Sequence, residues 1–222
     1  MEANGRSQAQ AEKIDASAAE ISASSADSAR YFYPATDGRL LVKRKGHSIV
    51  RSASIPKPVV LVDSRERNPY PLVANHPNWI AAERRVTLKT GDYSVEGMEG
   101  ILTLERKELT DLLSCIVTYR KRFIACCNRM SHFRWKAILV EATLEDIKSG
   151  WSKFNIPSEV HPNGVTGTLD AIEAKFGIPV IYTSANRDLA AERAASWLSK
   201  HFTYWWLEKN GLGRVFIDED KL

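Results

Sequence analysis

Residues 91–107 read GDYSVEGMEGILTLERK, two short apolar runs joined by a turn. Gly97 and Gly100 bracket Met98-Glu99, and Val95, Ile101 and Leu102 flank that turn, which predicts a β-hairpin. Side chains alternate across a strand, so Glu105 and Lys107 leave one face while Leu102, Leu104 and Arg106 leave the other. The hairpin brings Asp92 from its first strand toward the Glu105 face. Two carboxylates and an ammonium converging on a strand pair suit a hard divalent cation and a water to be activated. Lys107 would orient the nucleophile or stabilise charge developing on a phosphoryl group. The same spacing also describes an exposed hairpin whose charges are solvated.

Working outward, Pro58 to Asp63 (PVVLVD) reads as a buried strand with a carboxylate at its C-terminal end, where functional groups collect in α/β sheets. Arg84 to Leu88 predicts a second strand. From Leu109 to about Met130 apolar residues recur at helical spacing, and the opposite face shows Arg120, Lys121, Arg122 and Arg129 for phosphate contacts. Trp135 to Glu141 and Ile178 to Tyr182 predict two more buried strands. Between them lie a short helix near 144–149 and a longer one over 165–176, stopped by Gly177 and Pro179. His161 and Asn163 fall in the turn before that longer helix. A last helix runs from about Asn186 to Lys209 and carries Trp197, Phe202, Trp205 and Trp206. Alternating strands and helices give an α/β class.

Gly91-Asp92-Tyr93, a gap, then Glu105-Arg106-Lys107 with Asp111, preceded by Asp63-Ser64-Arg65-Glu66, resembles the nuclease domain of the XPF/MUS-type structure-specific endonucleases. These belong to the PD-(D/E)xK superfamily, and the chain looks like its compact single-domain bacterial or phage-like form, from about Val59 to Phe202. The resemblance implies a restriction-endonuclease-like mixed central sheet flanked by helices. It implies Mg²⁺-dependent hydrolysis of DNA phosphodiester bonds, with Mn²⁺ as a substitute, at branched or flapped DNA in repair or recombination. It implies Asp92, Glu105 and Asp63 as metal ligands and Lys107 as the catalytic lysine. Glu66 would complete the acidic cluster and Arg106 would brace it or meet phosphate. Arg65, Arg120 and Arg122 would contact DNA, and Asp111 would support the site from a helix start. No small-molecule cofactor is expected. The alternative, a catalytically silent DNA-binding or scaffold protein of the same fold, typically lacks a carboxylate or the lysine; here all are present. Arg122-Phe123 is followed by Ile124, Ala125 and Cys126, where relatives carry a polar partner.

The 222 residues carry a net charge of +4, a modest excess that fits a phosphate-binding surface without identifying one. Three cysteines without metal-ligand spacing read as small buried residues in a reducing compartment. No apolar run is long enough for a membrane span, so a cytoplasmic location is expected, or a nuclear one in a eukaryote. Residues 1–55 are low in complexity and expected to be disordered, with the basic run Lys43-Arg44-Lys45 available to DNA. Residues 56–210 form the nuclease domain and 211–222 a tail. No helix-hairpin-helix module follows Phe202, so the chain is expected to act as a homodimer or with a partner subunit. Trp197, Trp205 and Trp206 would form the contact.

Overall fold

The computed structural model describes residues 41–44, 47–151, 154, 156, 159–213, 215–217 and 220. In chain order the strands are β1 (Leu41–Arg44), β2 (His47–Val50), β3 (Val59–Asp63), β4 (Ala82–Val86), β5 (Tyr93–Val95), β6 (Leu102–Lys107), β7 (Trp135–Val140), β8 (Val180–Tyr182) and β9 (Phe216–Ile217). The helices are α1 (Leu72–Asn75), α2 (Leu109–Val117), α3 (Arg120–Met130), α4 (Leu144–Lys148), α5 (Pro162–Phe176) and α6 (Arg187–Lys209). The described residues fall into two compact units, a larger one over 57–202 and a smaller one from those before 57 together with those after 202.

The larger unit is built on a six-stranded mixed sheet, ordered β4-β3-β5-β6-β7-β8. The hairpin β5–β6 and the β3–β5 pair are antiparallel; β3–β4, β6–β7 and β7–β8 are parallel. Every residue of β6 is buried, as a strand covered on both faces must be. The exposed hairpin with solvated charges, which the same spacing describes, is not what forms. At the edge, β4 shows Arg84 and Arg85 to solvent, charges that discourage further strand pairing. The turn of the hairpin sits at Gly97, whose φ of 80° falls in the left-handed region.

One helix was expected over 109–130, and the structure has two. Both Thr118 and Tyr119 donate their N–H to the Ser114 carbonyl, which ends α2 and lets α3 restart at Arg120. Each helix then aims its own apolar stripe inward, Leu109, Leu112, Leu113 and Ile116 from α2, and Phe123, Cys127 and Met130 from α3. These join Ile138, Val140, Val165, Leu169 and Ile172 in one core. His161 caps α5, its Nδ1 accepting the Asn163 N–H at 3.2 Å. Trp197, expected at a dimer surface, is only 7% exposed and lies 4.0 Å from the His201 ring. It belongs to the core of the larger unit.

In the smaller unit β1 pairs antiparallel with β2, and β2 parallel with β9. Val50, Ile55, Leu207, Leu212 and Ile217 form its core, with Trp206 packed against them. Residues 41–55 and 215–217, expected as disordered chain and tail, therefore carry strands in part. The apolar residues of each end are too few alone and become a core only when the two ends of the sequence meet. The expectation for residues 1–40 and for Lys45 falls outside the described residues. No helix among the described residues is long and apolar enough to cross a membrane.

Candidate active site

Strand register puts the acidic residues in a row. Val62 pairs with Tyr93, and Tyr93 with Leu104. Continued by one residue, this sets Asp63 beside Asp92 and Asp92 beside Glu105. Two backbone bonds hold the row: Asp63 N–H donates to the Asp92 carbonyl at 2.8 Å, and Asp92 N–H to the Leu104 carbonyl at 2.9 Å. The Asp92 carboxylate also accepts the Arg106 N–H at 2.8 Å.

Asp92, Glu105 and Lys107 are the groups brought together. Lys107 Nζ lies 2.7 Å from Glu105 Oε1 and 2.9 Å from Asp111 Oδ2. Burial works against the ammonium, but the charges of Glu105 and Asp111 hold its pKa well above the ordinary lysine value. Burial, and then the negative charge of Glu105, push the Asp92 carboxyl up to about 8. A neutral-pH carboxyl that still holds its proton releases it when a cation arrives. Phe123 lies under the lysine, with Nζ 5.8 Å from the ring centroid. Cys126 Sγ is 3.8 Å from Glu105 Oε2, and Cys115 Sγ 3.8 Å from Asp111 Oδ1. Burial and Glu105 raise the Cys126 thiol to about 12, so it stays protonated. These two cysteines, expected as inert core, border the site; Cys127 is the buried one.

Three further residues of the expected site have partners of their own. Asp63 is separated from Glu105 by two strand spacings of about 4.8 Å each. Its oxygens are engaged, Oδ2 by Arg65 Nε at 2.7 Å and Oδ1 by Leu88 N–H at 3.0 Å. Burial opposes its ionisation, but Arg65 and that N–H hold its pKa below the ordinary value. Asp63 is thus paired with Arg65, at the end of the carboxylate row. Arg106 leaves β6 on the opposite face. Its guanidinium meets Glu141 at 2.7 Å, Glu108 at 2.5 Å and Glu66 at 3.6 Å, and lies 5.3 Å from the Tyr70 ring. Glu66 follows it, with Oε1 taking the Asn68 N–H at 2.7 Å. Arg106 braces the sheet on the face opposite Lys107, while Glu66 lies between Arg106 and Asp92, its charge helping to raise the Asp92 carboxyl.

That rear network was missed. Tyr70 donates its hydroxyl to Glu141 at 2.5 Å, and Arg187 reaches Glu141 at 3.5 Å and the Pro69 carbonyl at 2.9 Å. A signal existed: Glu141 ends WKAILVE as Asp63 ends PVVLVD, a carboxylate at the C-terminal end of an apolar strand. Of the expected DNA contacts, Arg65, Arg120 and Arg122 are exposed on the larger unit, Arg65 paired with Asp63.

Gly91 is the backbone pivot that delivers Asp92. Its φ is 79°, and an added Cβ would sit 2.0 Å from Thr103 Oγ1 and 3.2 Å from the Leu104 carbonyl. Thr103 cannot swing aside freely, being buried with its hydroxyl bonded to the Thr90 carbonyl at 3.0 Å. Gly91→Ala is therefore expected to destabilise by roughly 2–4 kcal/mol, combining backbone strain with overpacking. Urea unfolding measures it, and a variant within about 0.5 kcal/mol of wild type would contradict the clash.

No group of three or more His, Cys, Asp or Glu side chains poised to hold a metal occurs among the described residues. A cation would find two carboxylates, Asp92 and Glu105, with water and phosphate oxygens completing its shell, the usual habit of Mg²⁺. The pair fits such an ion, because burial, and then the charge of Glu105, leave the Asp92 carboxyl holding its proton despite Lys107, and a divalent charge would offset both.

A comparison with curated proteins found no match. Among solved structures the chain is similar to "XPF from Aeropyrum pernix", at 18% identity and a TM-score of 0.49, covering 68% of this chain and 73% of that one. It is also similar to "XPF from Aeropyrum pernix, complex with DNA", at 19% identity and a TM-score of 0.48, covering 65% and 64%. The family model for the ERCC4 domain matches residues 62–192, a span running from the end of β3 through the carboxylate row and both flanking helices to the start of α6. With well over half of the sequence in that match, the chain belongs to the ERCC4 domain family.

Proposed function

We propose that the larger unit is a divalent-metal-dependent DNA endonuclease hydrolysing phosphodiester bonds. The observation that carries this reading is the register that sets Asp92 beside Glu105, with Lys107, on the same buried strand as Glu105, 2.7 Å from it and 2.9 Å from Asp111. Membership of the ERCC4 domain family supports it. Mg²⁺, when bound, supplies charge neutralisation and a more acidic water. Asp92 and Glu105 would hold the cation, and Asp92 would give up its proton to solvent in doing so. Lys107, released in part from Glu105, offers its ammonium to a non-bridging phosphate oxygen, where negative charge grows toward the transition state. Asp111 keeps that ammonium pointed along the face. The Arg106–Glu141–Arg187 network behind β6 fixes the strand, so that these groups lose little freedom on binding. Branched or flapped DNA, repair and recombination are proposed as setting, and a second subunit as partner.

The test is nicking of supercoiled plasmid in Mg²⁺ by wild type and Asp92→Ala. Nicking by wild type, lost in the variant and in EDTA, supports the enzyme. DNA binding without nicking in Mg²⁺ or Mn²⁺ would replace it with the silent DNA-binding reading.

A further inference from the structure

The far side of α3 carries a feature that the site above does not use. Between α3 and the end of α5 lies a groove of about 490 Å³, within the range of small-molecule sites. Arg120, Lys121 and Lys175 line it, with no carboxylate among its lining residues. All three cations are exposed, and none makes an ion pair among the described residues. Free cations around one concavity create a local positive potential, which draws a polyanion.

Charge alone would serve any phosphate backbone, but the rest of the lining is not charged. Ile124 and Phe176 are half-buried; their inner sides pack on the main core, and both also line the groove. Lys175 Nζ lies 5.5 Å from the Phe176 ring centroid, so cation and ring sit side by side. Asn128, exposed on α3, offers an amide with both donor and acceptor. Apolar and aromatic surface beside cations suits a base face next to its phosphate. In a duplex that face is hidden by stacking; in an unpaired strand it is open.

Position links the groove to the reaction. The inward side of α3 carries Phe123 under Lys107 and Cys126 beside Glu105. A strand leaving the lysine face has only the width of this helix to cross, about 10 Å with side chains.

We propose that this groove binds one nucleotide, phosphate and base, of an unpaired stretch of the substrate strand. The inference rests on the nuclease reading and assigns the unpaired part of the substrate to this groove. Lys121 and Lys175 hold the phosphate, Ile124 and Phe176 receive the base, and Asn128 meets its edge.

Fluorescence anisotropy of the full chain in EDTA tests it, with a fluorescein-labelled oligothymidine and a blunt duplex of equal length. Lys175→Glu, alone and with Lys121→Glu, is expected to weaken oligothymidine binding about tenfold, and duplex binding by no more than about twofold. Both side chains are exposed, so thermal unfolding should match wild type. Unchanged oligothymidine binding, or an equal loss on duplex, would overturn the groove. If nicking depends on Lys107 while Lys175→Glu binds oligothymidine like wild type, only the groove fails. If wild type binds neither DNA, the nuclease reading fails with it.

Discussion

Lys107→Ala is expected to lower plasmid nicking by about 10²–10³-fold, the typical effect of removing a preorganised group that stabilises transition-state charge. Affinity for DNA, measured in EDTA, should change little, because one buried ammonium adds little to a phosphate footprint of exposed cations. The fold will not be indifferent. Lys107 and Glu105 are both about nine-tenths buried and 2.7 Å apart, so truncation leaves Glu105 without its cation. A stability loss of about 3 kcal/mol follows, as for other buried pairs broken on one side. Millimolar Mg²⁺ should restore part of it, by placing a cation between Asp92 and Glu105, without restoring the rate. Steady-state nicking at a temperature where circular dichroism reports a folded variant decides the matter. A folded Lys107→Ala that cuts at wild-type speed would reduce the lysine to a structural counter-charge.

Asp92→Asn separates the cost of the site from its use. Folded Asp92 titrates at about 8, against 3.8 for the ordinary carboxyl. Between those values the folded protein holds a proton that the unfolded chain has released. This contribution is therefore fully present below pH 3.8, falls as pH rises toward 8, and is constant above, with a slope of at most about 1.4 kcal/mol per pH unit. Asparagine keeps the shape and cannot ionise. In metal-free buffer the variant should match wild type near pH 4 and exceed it by up to about 5 kcal/mol at pH 8, the full slope acting over about four pH units. Asp63, held below its ordinary value, acts with the opposite sign and only below pH 3.8, outside that comparison. Nicking by Asp92→Asn should drop by at least about 10²-fold. Urea unfolding at the two pH values provides the check: an identical pH dependence in both proteins would mean that Asp92 is ionised in the fold and carries no such cost.

Much of this was legible along the chain. The hairpin of 91–107, the strands ending at Asp63 and Val140, and α5 with its stop at Gly177 follow from alternation, helical spacing and turn chemistry, which are local properties. The pairing of Lys107 with Glu105 and Asp111 was also within reach, since residues two apart on a strand and four apart into a helix are neighbours through the backbone itself. Parity put Arg106 on the other face of β6, but nothing local said what waited there. Glu141, Tyr70 and Arg187 come from three distant segments.

Sequence by itself therefore determined the elements, the family motif and the facing of each β6 side chain, because these depend on residues a few positions apart. Only the tertiary structure decided which partner each carboxylate takes. Asp63, Asp92 and Glu105 form one row by register, yet Arg65 and Leu88 claim the first, and burial beside Glu105 raises the pKa of the second. It also decided that Glu66 turns to Arg106, that Trp197 is core, and that the two ends of the chain share a small sheet. The reason is common to all of them: a side chain's charge, partner and exposure are set by what packs against it through space, and those neighbours are scattered along the chain.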